Sequence, residues 1–221
     1  MGQSSRWSTI VTVVLAQVVF VAITVLAWGD WRGFFAHPAR LIMILASVAA
    51  TIVGLAAGVN FSTGRRMDRN DLWIFVPVVL GSVLLCWQLP FADRRDQLTV
   101  DGDAVRYTGV ALFVIGAVLR VGPIVVLGRR FSAFVAIQER HELVTDGWYG
   151  VIRHPSYLGA LLLFAGWMLI FRSLLTVVVL PVAVLILVAR IDAEEVLLAS
   201  EFGDRYAAYR RNTWRLIPLI Y

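Results

Sequence analysis

The sequence has few charged residues, one cysteine and no lysine. Only 16% of its 221 residues are charged, whereas 59% are hydrophobic, and the mean hydropathy is +0.77. A soluble domain of average composition has about 25% charged and about 45–50% apolar residues. The apolar excess is too large for one buried core, so we expect part of it to face lipid. The single cysteine, Cys86, excludes an internal disulfide framework.

The placement of the basic residues and the small number of histidine and cysteine residues argue against two partners, nucleic acid and metal. All twenty basic side chains are arginine, and they flank apolar segments, as topology signals in membrane proteins do. We therefore expect no nucleic-acid partner. Three histidines and one cysteine show no spacing typical of metal ligands, so we also expect no metal. The sequence does not indicate an oligomeric state.

Long apolar runs predict transmembrane helices. About 20 apolar residues are needed to cross the core of a bilayer, and the sequence lacks the period-2 alternation of a membrane barrel. Four runs have this length: Thr9–Trp28, Leu41–Val59, Leu72–Phe91 and Tyr107–Leu127.

A fifth apolar stretch, from Ser156 to Ala189, is too long for one crossing. As a single helix it would measure about 50 Å. Phe171-Arg172-Ser173 interrupts it, and one tilted helix would leave this arginine in lipid, which is costly. We therefore predict a hairpin of two helices, Pro155–Ile170 and Leu174–Arg190. The fold class is an all-α integral membrane protein with about five membrane segments, of which the last is this helical hairpin.

The distribution of arginine predicts the topology. Arginines are concentrated in residues 60–71, in residues 128–154 and in the C-terminal tail, whereas aspartates are concentrated in residues 92–105. The positive-inside rule places the arginine-rich segments in the cytoplasm. We expect residues 1–105 to form N-terminal transmembrane helices. Residues 106–221 would form a transmembrane core with a cytoplasmic pocket and a tail, in a cell inner or plasma membrane.

Two polar clusters could bind a zwitterion. Pro155 suits the first turn of a helix, so Arg153 and His154 would lie beside free backbone donors that favour a carboxylate or phosphate. Glu194 and Glu195 could bind an ammonium or sulfonium group. The hairpin would bring both clusters to one membrane face, which suits the amino acid group of S-adenosylmethionine. The alternatives are an interfacial Arg-His pair and a solvated helix end.

A third cluster lies between the apolar runs, from Gln138 to Tyr149. Asp146-Gly147 marks a turn within it, and the segment is too apolar for a disordered tether. It could equally be a surface loop anchored by interfacial Trp148 and Tyr149.

The order and spacing of these motifs resemble the isoprenylcysteine carboxyl methyltransferase family, in a prokaryotic-type member. The related phospholipid N-methyltransferases share the pattern. The resemblance is carried by His141-Glu-Leu-Val-Thr-Asp-Gly-Trp-Tyr149, Arg153-His-Pro-Ser-Tyr-Leu-Gly159, Glu194-Glu195, Phe202-Gly203, Tyr206, Tyr209 and Pro218.

The resemblance implies methyl transfer from S-adenosylmethionine, bound at the cytoplasmic face, to a lipophilic acceptor. The acceptor would be an isoprenylcysteine-like carboxylate or another small lipophilic or lipid molecule that comes from the bilayer. The implied cofactor-binding residues are Gln138, His141, Leu143, Val144, Gly147, Tyr149, His154, Tyr157, Glu194 and Glu195.

One departure from the family concerns the catalytic arginine. The eukaryotic enzymes have an arginine followed by Val-Pro-Thr-Gly-Leu-Pro near the C-terminus, and alignment on Tyr209 places Asn212 there. Arg153, Arg211 or Arg215 could instead orient an anionic acceptor. Two other functions fit the sequence: an NADPH-dependent membrane reductase of the sterol reductase type, and a non-catalytic membrane subunit.

Overall fold

The computed structural model describes residues 3–58, 66–67, 71–127, 136–137 and 143–221, and most of this part of the chain is helical. The helices are α1 (Gln3–Trp28), α2 (Trp31–Ala36), α3 (Pro38–Ala57), α4 (Asp71–Arg94), α5 (Asp103–Leu127), α6 (Pro155–Ile170), α7 (Thr176–Phe202) and α8 (Asp204–Arg211). A 3₁₀ helix, Gly147–Gly150, precedes α6. Two short strands, β1 (Arg66–Met67) and β2 (Ala136–Ile137), pair antiparallel.

Four of the described helices are long and apolar enough to cross a membrane. They comprise Arg6–Trp28, Pro38–Ala57, Asp103–Val126 and Thr176–Phe202. The apolar helix α6 is shorter, with 16 residues. At about 1.5 Å per residue it would span less than a bilayer core of about 30 Å. The prediction of an all-α integral membrane protein is therefore confirmed.

The predicted hairpin is present, and its second helix is longer than expected. The chain turns between Ile170 and Thr176, and Arg172 adopts a left-handed conformation there with φ of 52°. We expected the second helix to end at Arg190, where the apolar run ends. It continues to Phe202 because alanine, glutamate and leucine, which are good helix formers, follow. Glu194 and Glu195 consequently lie on α7 itself.

A buried carboxylate, Asp93, joins four elements at the hairpin-turn end of the bundle. Arg106 of α5 donates two hydrogen bonds to it, at 2.7 and 2.9 Å, and Arg172 donates a third at 2.8 Å. The guanidinium of Arg40 in α3 lies 3.8 Å away. Arg106 also donates to the carbonyl of Ile170, at 2.8 Å. Because Asp93 has only 2% of its surface exposed, these contacts are shielded from water.

The antiparallel helices α5 and α6 are in direct backbone contact. A Cβ atom at Gly116 would lie 2.3 Å from the nitrogen of Leu163 and 2.8 Å from the carbonyl oxygen of Gly159. One at Gly109 would lie 2.8 Å from the carbonyl oxygen of Gly166. Each helix thus carries two glycines seven residues apart on the face that meets the other. Small residues at such positions allow transmembrane helices to pack closely.

Replacement of Gly116 by alanine should destabilise the protein by about 1–3 kcal/mol, because the added methyl group meets backbone atoms that cannot rotate away. Thermal unfolding in detergent measures the effect. Gly81→Ala on α4 is the matched control, since a Cβ there has no described neighbour within 4 Å. Equal stability of the two variants would contradict the close contact.

Replacement of Asp93 by alanine should destabilise the protein by about 3–5 kcal/mol, because it leaves buried arginines without their carboxylate. Asp101→Ala is the control, since its side chain is fully exposed and its carboxylate lies 4.0 Å from Arg172. The comparison again uses thermal unfolding. A midpoint for the Asp93 variant equal to that of the control would show that this ion-pair cluster is dispensable.

Candidate functional site

The start of α6 and the C-terminal turns of α7 meet at the end of the bundle opposite the hairpin turn. His154 occupies the N-cap position of α6 without a capping hydrogen bond from its side chain, and it is buried, with 4% of its surface exposed. Its Nε2 atom lies 3.3 Å from a carboxylate oxygen of Glu195, and its Nδ1 atom lies 4.0 Å from one of Glu194. The ring stacks on Tyr157 at a centroid distance of 5.6 Å. The structure thus brings together four of the residues predicted from the sequence.

Glu195 is the centre of a buried ion-pair cluster. Arg153 donates to it at 2.9 Å, and Arg215 and Arg210 lie 3.4 and 3.9 Å away. Arg153 also donates to the carbonyl of Thr213, which holds the C-terminal tail against the start of α6. Only 7% of the Glu195 side chain is exposed, so water cannot solvate its negative charge. The neighbouring arginines stabilise this charge instead.

Glu194 faces a different set of groups, although it is the next residue on α7. Successive helix residues point about 100° apart. Its carboxylate lies beside His154 and the hydroxyl of Tyr157, and 31% of the side chain is exposed. The same hydroxyl accepts a hydrogen bond from Arg190 at 3.1 Å. Of the two adjacent carboxylates, Glu194 is therefore the more accessible to a ligand.

Two arginines on candidate membrane spans complete this side of α7. Arg120 of α5 donates to the hydroxyl of Ser156 at 2.8 Å, and Arg190 lies on α7. The electrostatic neighbours of Arg120 include Tyr157, Arg190 and Glu194, so the two arginines belong to one cluster. Ionisable side chains inside membrane segments are costly and usually functional.

Sequence reasoning missed this arginine pair. Arg190 was predicted only as the end of the second hairpin helix, and Arg120 was not among the predicted site residues. The signal was available, since Arg120 interrupts an otherwise apolar run between Val118 and Val121.

The predicted segment before α6 packs against the same site. Leu143 and Val144 are half-buried, and Gly147 begins the 3₁₀ helix with φ of 56°. The hydroxyl of Tyr209 donates to the carbonyl of Tyr149 at 2.7 Å. Burial raises the pKa of Tyr149, and the nearby Glu194 carboxylate raises it further. Its phenol is therefore neutral and lies near Glu194.

Other predicted residues lie apart from this group or outside the described chain. Gln138 and His141 fall outside the described residues. Arg211 is exposed on α8, whereas its neighbour Arg210 reaches the Glu195 cluster. Arg215 contacts Asp192 as well as Glu195. Within the described ranges, no three histidine, cysteine or acidic side chains are grouped as a metal site would require.

Comparison with known proteins gives the family. The sequence model of the isoprenylcysteine carboxyl methyltransferase (ICMT) family matches residues 109–200. The chain is 34% identical over 198 residues to a protein-S-isoprenylcysteine O-methyltransferase from Schizosaccharomyces pombe, which covers 85% of this chain and 83% of that protein. It is 32% identical over 115 residues to protein-S-isoprenylcysteine O-methyltransferase B from Arabidopsis thaliana, and this match spans 51% of this chain and 58% of the plant protein.

A solved structure shares the fold. It is that of the eukaryotic intramembrane Ras methyltransferase ICMT, with a TM-score of 0.59 and 21% identity, and the match covers 91% of this chain and 74% of that one. The resemblance noted in the motifs between His141 and Pro218 is thus confirmed over a longer stretch of sequence. The chain belongs to the isoprenylcysteine carboxyl methyltransferase family.

Proposed function

We propose that this protein transfers a methyl group from S-adenosylmethionine to an anionic oxygen of a lipophilic acceptor. The observation that carries the proposal is the cluster of Arg120, Arg190, Tyr157 and Glu194, which joins two membrane-span arginines to a carboxylate at one end of the bundle. Family membership supports it, since relatives are named as methyltransferases of isoprenylcysteine. The acceptor would be an isoprenylcysteine-like carboxylate or a similar small molecule.

The described residues fit the cofactor. Its ammonium needs a carboxylate, and the partly exposed Glu194 provides one. Its carboxylate needs hydrogen-bond donors. At the start of α6, Pro155 has no N–H and the N–H groups of His154 and Tyr157 donate to carbonyl groups, so the backbone N–H of Ser156 would be the donor. His154 and Tyr157 flank this helix start. Leu143, Val144, Gly147 and Tyr149 would provide a largely apolar wall for the adenosine, and Gln138 and His141 remain predicted members of this group.

For methyl transfer to a carboxylate, the protein would mainly have to align the two reacting groups and exclude water. S-adenosylmethionine supplies a methyl group on a positively charged sulfur. A carboxylate acceptor is already a nucleophile, so no general base is needed. Correct alignment can lower the barrier by about 7–11 kcal/mol. Packing of α5 against α6 and the hydrogen bond from Arg190 to Tyr157 would hold the two reacting groups in line.

Arg120 and Arg190 are better placed to orient the acceptor than the arginines predicted from the sequence. Both lie within candidate spans, where a lipophilic molecule that comes from the bilayer would meet them. Arg153 and Arg215 instead pair with Glu195 on its other side, and Arg211 points away. We propose that Arg153 and Arg215 act indirectly, by fixing Glu195 and the tail.

The arginine distribution also supports a topology. We propose that the site opens to the cytoplasm from a cell inner or plasma membrane, where S-adenosylmethionine is made available. Residues 1–105 would then serve as N-terminal membrane helices and residues 106–221 as the catalytic core. Packing of α3 against α5 would couple the two parts.

The two adjacent carboxylates should differ in their effect on cofactor binding. In Glu194→Gln, S-adenosylhomocysteine should bind about 10–100-fold more weakly, because one charge-assisted contact is lost. The unliganded thermal midpoint should change little. Glu195→Gln should lower that midpoint strongly, since Arg153 loses its buried partner. Calorimetry and thermal unfolding of both variants give the comparison.

NADPH serves as the competing ligand in the same assay. Stabilisation of the wild-type protein by NADPH, with none by S-adenosylhomocysteine, would support the reductase alternative. Absence of binding of both ligands would support a non-catalytic subunit.

Arg120→Gln should raise the KM for an anionic acceptor at least about tenfold and leave cofactor affinity nearly unchanged, because, of the two bound molecules, only the acceptor would contact this arginine. An N-acetylated S-isoprenylcysteine serves as the probe, and methyl transfer is measured with labelled cofactor. Ser156→Ala is the matched control, since it removes the hydrogen bond to Arg120 but keeps the charge. A similar rise in KM in both variants would mean that Arg120 acts only through its packing and not through its charge.

A further inference from the structure

A cleft, which we call the tail cleft, lies between the C-terminal tail and the face of α7 that points away from Tyr157 and Glu194. It has a volume of about 730 Å³ and is open to solvent. Val196 and Ala199 of α7 form one wall, and Arg210, Trp214 and Arg215 form the other. Glu195 and Arg153 separate it from the proposed methyl-transfer site, so the cleft is a distinct feature of this end of the bundle.

The polar part of this tail cleft is rich in guanidinium groups. Arg153, Arg210 and Arg215 line it, against the carboxylates of Glu195 and Asp192. The side chain of Arg210 is 53% exposed and approaches Glu195 only to 3.9 Å. Arg215 is already paired, since its terminal nitrogens donate to Asp192 and Tyr221. Its Nε atom lies 3.4 Å from Glu195. The exposed Arg210 therefore carries the donor capacity of the cleft for a further anion. The planar fork of arginine matches a phosphate group well.

The rim of the tail cleft is apolar and uncovered. Val196, which lines the cleft, has 71% of its surface exposed. Leu219 and Ile220, which precede the lining residue Tyr221 in the tail, have 83% and 77% exposed. Trp214, in the wall, has 42% exposed. The cleft adjoins the last turns of α7, a candidate membrane span, so these side chains lie where a span leaves the hydrocarbon core. Tryptophan and arginine are typical of that level of a membrane.

We propose that the tail cleft binds the phosphate of an anionic phospholipid, with Arg210 as its principal ligand and the apolar rim against the acyl chains. A lipid fits better than a soluble anion, because the basic groups and the exposed apolar side chains share one edge. Basic pockets beside membrane helices are typical sites for acidic lipid headgroups. This inference does not depend on methyl transfer, because none of the acceptor-orienting or cofactor groups proposed above lies on this face.

The test compares lipids and arginine variants in the full-length protein in detergent. Dioctanoyl phosphatidylglycerol should raise the thermal midpoint, whereas dioctanoyl phosphatidylcholine and inorganic phosphate should not. Arg210→Gln should weaken phosphatidylglycerol binding about fivefold, which corresponds to one arginine at a membrane surface. Arg210→Lys should retain part of the affinity, because the charge remains but the fork is lost. Arg205→Gln is the matched control, an exposed arginine of the same helix that does not line the cleft.

Three outcomes would overturn the proposal. Equal stabilisation by phosphatidylcholine would mean that only the acyl chains bind. Equal stabilisation by inorganic phosphate would indicate a soluble anion in place of a lipid. Equal loss in the Arg210 and Arg205 glutamine variants would indicate general charge attraction. The midpoint of each variant without lipid is measured first, so that a folding defect is separated from lost lipid binding.

Discussion

The backbone contact between α5 and α6 positions the groups of the candidate site. Gly116 and Gly159 meet where a side chain on either would strike the other helix. Arg120 follows Gly116 by about one helical turn, and Ser156 precedes Gly159 by nearly one. Antiparallel packing therefore places the arginine beside the serine, where they form a hydrogen bond. A wider separation of the helices would carry Arg120 away from the start of α6 and from Tyr157.

Two buried carboxylates fix the hairpin at its opposite ends. Asp93 ties the turn to α3 and α5, and Glu195 ties α7 to the start of α6 and to the tail. In both clusters arginines outnumber the buried acid, and their other donors reach carbonyl groups, such as that of Ile170. Paired guanidinium groups can remain buried because their charges and donors are satisfied. With α7 held at both ends, Glu194 stays accessible beside Tyr157.

The sequence predicted the four candidate spans and the hairpin, because a long apolar run is stable in lipid and an arginine such as Arg172 is not. The further predicted span, Leu72–Phe91, forms most of α4, which is not among the four candidates found in the described residues. The sequence also predicted that Glu194 and Glu195 would approach His154, since the hairpin alone requires it. It could not distinguish the two glutamates, because their roles depend on how α7 is rotated. Arg120 was missed for a similar reason. An arginine within an apolar run shows its function only when the packing of α5 against α6 brings its neighbours together.

The rotation of α7 also separates two environments that the sequence places side by side. Glu194 points to the span arginines and the start of α6, whereas Glu195 points to the tail and the cleft beside it. In the proposed reaction, a water-soluble cofactor and a lipophilic acceptor would have to meet without opening the bilayer to water. Helix α7 would satisfy this requirement. It carries Glu194, a ligand group, on one face and the buried ion pair of Glu195 on the next. The ion pair of Glu195 and Arg153 forms a neutralised wall, because the two charges are buried against each other. Polar ligands can therefore bind beside α7 while its remaining faces stay in contact with lipid.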